Sequence, residues 1–316
     1  MPPGLSRLMN LQPITALLTS LACIFLLRKG YEHAPIMIIF VFFAFFYLTF
    51  RLRIQKRGGI LPKMWDTALL FMINDMIIFV MPFYFESMTF PSRNMVFAPV
   101  LLFLAVLAHW YRLYQRVVLP YPMIGSIFYS LTFFCVLNFI FPVFLGMRNQ
   151  WSLLLSGIIA SISVIIFINP HIPVLRHRKN AVLSLIGIAL FLAVLWFGRS
   201  AIPPAPLMLV NATACSGVTD LMPVNPFTAA GAGAFQEVYF FSSIYAPRGL
   251  REKIYHTWYH DGEGLFSVNL REIYGGRKQG FRTWSRHTIL EGPGKYTVEV
   301  WTEGGQLVGS RNFYLR

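Results

Sequence analysis

One carboxylate stands out for where it falls. Asp75 lies ten residues into an apolar stretch that starts at Trp65. At 1.5 Å per residue it reaches about 15 Å, the midplane of a hydrocarbon core about 30 Å thick. A carboxylate exposed there costs about 2.5–3.5 kcal/mol even on the lenient insertion scale. Asp75 must therefore face a helix bundle, be protonated or find a partner. Glu86 follows eleven residues on, three helical turns away on the same face, while Asn74 adjoins Asp75 and Asn138 and Thr132 sit in a later apolar stretch. Two chemistries fit this intramembrane polar group of Asn74, Asp75, Glu86 and Asn138. One is a proton or substrate site reached from outside. The other is an interhelical clamp, with protonated Asp75 bonded to Asn138 or to Ser156, Ser161 or Ser163. A complete proton relay is not visible, because the spans hold no second midplane acid or base.

Other residues carry weaker signals. His109-Trp110-Tyr111-Arg112, with Gln115 and Arg116, closes an apolar stretch. Trp, Tyr and Arg there read as interface anchors, and His109, Arg112 and Arg116 could contact anionic head groups. His256 and His260 share one face of an expected strand with Trp258. Side chains at i and i+4 on a strand stand about 13 Å apart, too far to share a metal, so no metal and no cofactor are expected. Tyr259, Arg282, Trp284 and Arg286 could line an aromatic and basic surface suited to a glycan or a partner protein. Ser285 and His287 stand two residues apart without any elbow motif, so no nucleophile can be assigned. Catalysis is not the leading expectation.

The elements that must position these residues follow from composition. Hydrophobic residues make up 56% of the 316 and charged residues only 13%, about half the charged share of a soluble domain. This points to a polytopic membrane protein. Seven apolar runs of membrane length are expected at about 11–27, 34–50, 67–85, 95–111, 123–145, 151–168 and 180–198. The run Ser20–Cys23 faintly resembles a lipoprotein signal, but Ile24–Leu27 continues the apolar stretch, so it reads as a span.

Charge fixes the expected orientation. Residues 1–199 hold 16 Lys and Arg against 4 acids, whereas 236–316 hold 11 against 8. The net +14 thus resides mainly in the hydrophobic half, where it marks loop orientation and contact with anionic lipid rather than nucleic acid. Five positives (Arg51, Arg53, Lys56, Arg57, Lys63) fall in one short loop. With the N-terminus in the cytoplasm, eleven basic residues lie inside and four outside. Seven spans then place everything after Arg199 outside, which in a bacterium is the periplasm. Cys23 and Cys135 lie in spans and Cys215 stands alone beyond them, so a disulfide framework is excluded.

Residues 200–235 turn abruptly to Pro, Ala, Gly and Ser and read as a linker, with a possible edge strand at 207–212. Beyond them, alternating runs recur at 236–245, 251–260, 265–274, 281–290, 295–302 and 306–315, separated by Gly and Pro breakers. Six or seven short strands predict a small antiparallel sandwich of immunoglobulin-like size. Within 295–302, Tyr296, Val298, Val300 and Thr302 share one face.

The segments His256-Thr257-Trp258-Tyr259-His260-Asp261-Gly262, Phe281-Arg282-Thr283-Trp284-Ser285, Gly292-Pro293-Gly294-Lys295-Tyr296 and Gly309-Ser310-Arg311-Asn312-Phe313 occur in that order. In this, residues 236–316 resemble a bacterial extracytoplasmic domain of unknown function that often follows a multi-span region. The resemblance implies a β fold and an envelope location, and it brings no activity. The expected architecture is a seven-helix transmembrane domain (1–199, N-terminus inside), a linker (200–235) and a periplasmic β-sandwich (236–316). The leading functional expectation is an inner-membrane envelope protein whose sandwich binds a protein, lipid or glycan partner. A transporter or membrane-embedded enzyme working through Asp75 is the alternative.

Overall fold

The computed structural model describes residues 34–55, 61–90, 92–169, 178–231, 236–288 and 292–316. The expected span at 11–27 lies outside them, as do Lys56 and Arg57. The chain divides into two compact units. One comprises Met1–Pro82, Pro99–Ile140 and Ser152–Phe197, and the other Phe83–Ala98, Phe141–Trp151 and Gly198–Arg316.

Seven α-helices are described: α1 (Ala34–Gln55), α2 (Leu61–Glu86), α3 (Ala98–His109), α4 (Tyr111–Val117), α5 (Pro122–Leu145), α6 (Asn149–Ile168) and α7 (Arg178–Phe197). Four contain stretches long and apolar enough to cross a membrane: Ala68–Glu86, Pro122–Leu145, Asn149–Ile168 and Arg178–Phe197. Their internal packing is aromatic. Phe79 meets Phe139 edge to face at 5.8 Å, and Phe133 meets Phe167 at 5.9 Å. Gly157 lets α7 close on α6, since a Cβ there would stand 2.6 Å from Leu195. Pro82 and Pro142 sit inside α2 and α5 about a turn before each helix ends, where a proline kinks or stops a helix.

The straight span expected at 95–111 is not found. A 3-10 turn (Arg93–Phe97) leads into α3, and the chain then bends by 100° at Trp110 into α4. The twelve residues of α3 reach about 18 Å, and with the 3-10 turn before them and α4 after them they form a broken span or a re-entrant loop rather than one straight crossing. The break follows from the polar pattern of 111–116. Arg112, Gln115 and Arg116 are exposed while Tyr114 is buried, where its ring meets Phe128 and its hydroxyl bonds that of Tyr129.

Eleven strands are described in the second unit: β1 (Met208–Thr219), β2 (Met222–Phe227), β3 (Ala229–Ala230), β4 (Val238–Tyr245), β5 (Arg251–Glu252), β6 (Ile254–His260), β7 (Glu263–Asn269), β8 (Ile273–Tyr274), β9 (Phe281–His287), β10 (Gly294–Thr302) and β11 (Leu307–Leu315). They form a four-stranded sheet, β2-β1-β4-β9, a five-stranded sheet, β3-β11-β10-β6-β7, and a small β5-β8 pair. Both larger sheets contribute to one core. Ala214, Val238, Phe240 and Ile244 come from the first, and Trp258, Tyr296, Val298, Val300 and Phe313 from the second. The expected strands after 236 match these elements. In β10, Tyr296, Val298, Val300 and Thr302 are all buried, as their alternation requires.

The linker expected at 200–235 is corrected. Among its described residues, the Pro-rich start, with a cis Ala205–Pro206 bond, is the stretch that lacks strand structure of any length. β1 is a twelve-residue strand paired on both sides, with β2 and with β4. The low charge and small residues that resembled linker composition are those of a strand lying against the core. Pro223 and Pro226 fall in β2, the sheet edge, where a missing N–H costs no ladder bond.

Candidate functional site

In the helical unit, the structure separates the residues expected to act together. Asn74 is buried and Asp75 half-buried. Asp75 is bonded to Asn74, and its Oδ1 is buried with no hydrogen-bond partner among the described residues. The expected clamp is not formed. Ser152 Oγ donates to the Asn138 carbonyl (2.9 Å) and to its Oδ1 (3.3 Å). Ser156, Ser161 and Ser163 each donate to the backbone carbonyl four residues earlier. Such local bonding is the usual fate of a helical serine. Glu86 is exposed at the far end of α2, about 16 Å along the axis from Asp75. His109 is the last residue of α3, while Arg112 and Arg116 lie on the exposed side of α4.

In the β unit, Arg282, Trp284 and Arg286 alternate on β9 with the buried Thr283, Ser285 and His287, so they share the outer face of the four-stranded sheet. Trp284 is 38% exposed. Arg282 donates to Gln279 Oε1 at 2.6 Å, and Arg286 lies 3.6 Å from Glu237. Tyr259 does not join them. It alternates with the core residue Trp258 on β6 and pairs with Thr297, placing it on the outer face of the other sheet. Burial and the neighbouring Glu299 raise its phenol above the usual range. The expected four-residue surface is therefore a three-residue patch, because the two sheets present opposite outer faces.

His256 belongs to the core. It is buried between the sheets, with Nε2 2.9 Å from Ser242 Oγ of β4 and Nδ1 2.9 Å from Ser285 Oγ of β9. The Trp258 indole N–H also donates to Ser285 Oγ at 2.9 Å. Burial pushes the imidazole down to about 3. A Ser–His contact of this kind has no route to substrate and serves as a cross-sheet polar tie. Among the described residues no cluster of three or more His, Cys, Asp or Glu could hold a metal. Cys215 is buried, its thiol raised above the usual range by that burial, as expected of a small core residue rather than a reactive one.

The most developed polar arrangement was not anticipated. Arg148, in the α5–α6 turn, bridges Glu272 (3.0 Å) and Glu303 (2.9 Å), and Lys253 also pairs with Glu303 at 2.9 Å. Beside them, the fully buried Glu252 of β5 accepts the backbone N–H of Asn149 at 3.0 Å and its side-chain amide at 3.3 Å. Glu252 thereby caps the N-terminus of α6, where the backbone donors and helix dipole favour a carboxylate. Burial raises the Glu252 carboxyl above the usual carboxylate range, against the Asn149 bonds and Arg148, which lower it. Asn94, also buried, donates to the Ser87 and Leu307 carbonyls at 3.1 and 3.0 Å and so ties the α2–α3 turn to β11. The backbone N–H of Ser310 donates to Thr89 Oγ1. Arg148-Asn149 before an apolar run was a legible helix start, but its partner lay 103 residues away.

Gly146 completes this attachment. It has φ +61°, and a Cβ would stand 2.9 Å from the Gly249 carbonyl oxygen. Gly146→Ala is expected to cost about 1–3 kcal/mol, as a left-handed non-glycine residue forced against backbone. Hydrogen exchange should rise at 246–252 and in the α5–α6 turn; unchanged protection would contradict the contact.

Apolar helices of membrane length joined to a two-sheet β domain define a membrane protein with a C-terminal β-sheet domain. The chain belongs to a family of unknown function, DUF5924, whose pattern matches residues 4–227. A second pattern of unknown function, DUF2914, matches residues 251–315, in line with the resemblance noted from sequence. No curated protein and no solved structure matches the chain.

Proposed function

We propose that the protein is a bacterial inner-membrane envelope protein with seven spans and a cytoplasmic N-terminus. Its β-sandwich, of immunoglobulin-like size, stands in the periplasm and binds a protein, lipid or glycan partner. The observation that carries this reading is the attachment of the sandwich. Two helix-connecting turns, 83–98 and 141–151, fold into the same compact unit as the strands. They are held there by Arg148, Asn149 and Asn94. These contacts make the helix-connecting turns part of the same folded unit as the strands, so the domain is built partly from chain that belongs to the helical stretches. The uneven distribution of Lys and Arg supports the periplasmic side, and Trp284 between Arg282 and Arg286 offers an aromatic and basic contact patch.

A transporter or membrane enzyme is the second reading. It is favoured by the unpartnered Asp75 Oδ1, since an intramembrane acid is a functional candidate by default. In-cell complementation separates the two. Loss of activity in Arg282→Glu/Trp284→Ala/Arg286→Glu, with Asp75→Asn tolerated, is the expected outcome. The reverse pattern would favour transport. A disulfide-dependent phosphatase fused after Arg316 should be active in cells, and an inactive fusion beside a fluorescent cytosolic reporter at the same position would overturn the topology.

A further inference from the structure

A cavity of about 380 Å³ opens between the two sheets, where β1 and the end of β2 approach β11. Its walls are unlike an ordinary packing gap. Phe227, Phe240 and Phe313 line it, with Phe227 and Phe313 edge to face at 5.9 Å. Ala212 and Ala214 leave the space that larger side chains would fill. Arg311 also lines it. This residue pairs directly across from Val298, a core side chain, so it stands on the inner side of its sheet. Yet it is exposed at the opening, and no carboxylate pairs with it among the described residues. An inner-face cation without a carboxylate partner, exposed at the mouth of a space lined by aromatic rings, is placed to meet an anionic group. Phe90, on the wall, lies four residues beyond the end of a membrane-length stretch.

We propose that this cavity binds a single-chain anionic amphiphile, with the alkyl chain against Phe227, Phe240 and Phe313 and the acidic head on Arg311. The proposal rests on the binding-module reading and names one ligand class for it. The class follows from shape and charge. At about 30 Å³ per water-sized group, the space holds about a dozen non-hydrogen atoms, enough for one medium alkyl chain but not the paired chains of a diacyl lipid. Thr213, Thr228, Ser310 and Asn312 complete the lining, with Asn312 already accepting from Thr297 Oγ1, and the three phenylalanines form the side that an alkyl chain would cover. Guanidinium matches the fork of a carboxylate or phosphate.

The test uses the full chain in phosphatidylcholine nanodiscs and a diazirine-bearing dodecanoic acid as the probe. After irradiation, mass spectrometry should find adducts in 212–214, 227–228 and 310–313. Arg311→Glu should lower that labelling at least about tenfold, as should Ala212→Leu, which fills the space. Arg311→Gln, which removes the charge with little change of shape, should also lower it. Dodecanol carrying the same diazirine should label the sandwich at no more than about a tenth of the level. Adducts confined to the helices, equal labelling by the alcohol, or labelling indifferent to Arg311→Gln would each overturn the proposal. Any of these, with the β9 patch variant still inactive in cells, sinks the cavity assignment and leaves the binding-module reading standing. An active patch variant would sink that reading instead.

Discussion

Lowering the pH from 7 to 4 is expected to weaken the β-sandwich by about 3 kcal/mol through His256 alone. In the unfolded chain its imidazole titrates near 6.5, whereas in the folded sandwich burial holds it down to about 3. A depressed folded value means the stabilising contribution is present above about pH 6.5 and is lost progressively as the pH falls towards 3. The size follows from about 1.4 kcal/mol per pH unit over the interval. The nearest surroundings offer the proton no compensation. Ser242 and Ser285 occupy both ring nitrogens, the Phe240 ring stands 5.1 Å away, the Trp258 indole is bonded to the same Ser285, and His287 packs against Trp258. Glu252 works in the opposite sense, because its raised carboxyl favours the folded state in acid. His256→Phe isolates the effect. It should be less stable at neutral pH, because two serine hydroxyls lose a partner at about 1–3 kcal/mol each, and it should lose most of the acid dependence. Hydrogen exchange at β4, β6 and β9 reads both quantities. Wild-type protection unchanged at pH 4, or the same slope in His256→Phe, would refute the argument.

Glu252→Ala is expected to cost about 3 kcal/mol, with the loss confined to the β5 region and the first turn of α6. The variant removes a helix cap, about 1 kcal/mol, and strands the Asn149 donors in a buried setting, about 1–3 kcal/mol. Glu252→Gln separates charge from hydrogen bonding. It keeps a carbonyl oxygen to accept from Asn149 and discards a charge that burial disfavours at neutral pH. The raised carboxyl stabilises the fold below the ordinary glutamate value, near 4.3, and that contribution fades as pH rises through the folded value. Glu252→Gln should therefore stay within about 1 kcal/mol of wild type at pH 7 and lack this pH slope. Exchange at residues 249–255 and 149–153 measures it. Equal losses in Ala and Gln would show that the carboxylate charge, not the cap, secures the turn.

Much of this architecture was readable from the chain because its signals are local. Apolar runs of membrane length marked helices, four of them long and apolar enough to cross a membrane, and alternation between Gly and Pro breakers marked the strands after 236. The failures were those of distance and of shared composition. Residues 208–219 carry no charge and many small side chains, which describes a linker as well as an inner strand; only β4 pairing decides. The run expected at 95–111 breaks at Trp110, where the polar pattern of 111–116 begins and Tyr114 finds Tyr129 fifteen residues on. Alternation correctly put Trp258 in the core, but it could not say that Tyr259 and Trp284 face opposite ways, which depends on which sheet each strand joins. Glu252 looked like one member of a charged triplet, Arg251-Glu252-Lys253, and its burial rests on Asn149.

The seam between the two matched patterns runs through the middle of a folded object. Of the four strands in the smaller of the two main sheets, β1 and β2 lie in 4–227, β4 falls in the gap, and only β9 lies in 251–315. A fragment trimmed to the second pattern would keep Trp258 and Val298 but lose most of the layer that covers them. A chimera joined at that seam would inherit half of each interior, so a graft between relatives succeeds only when Met208–Tyr245 travels with the C-terminal strands.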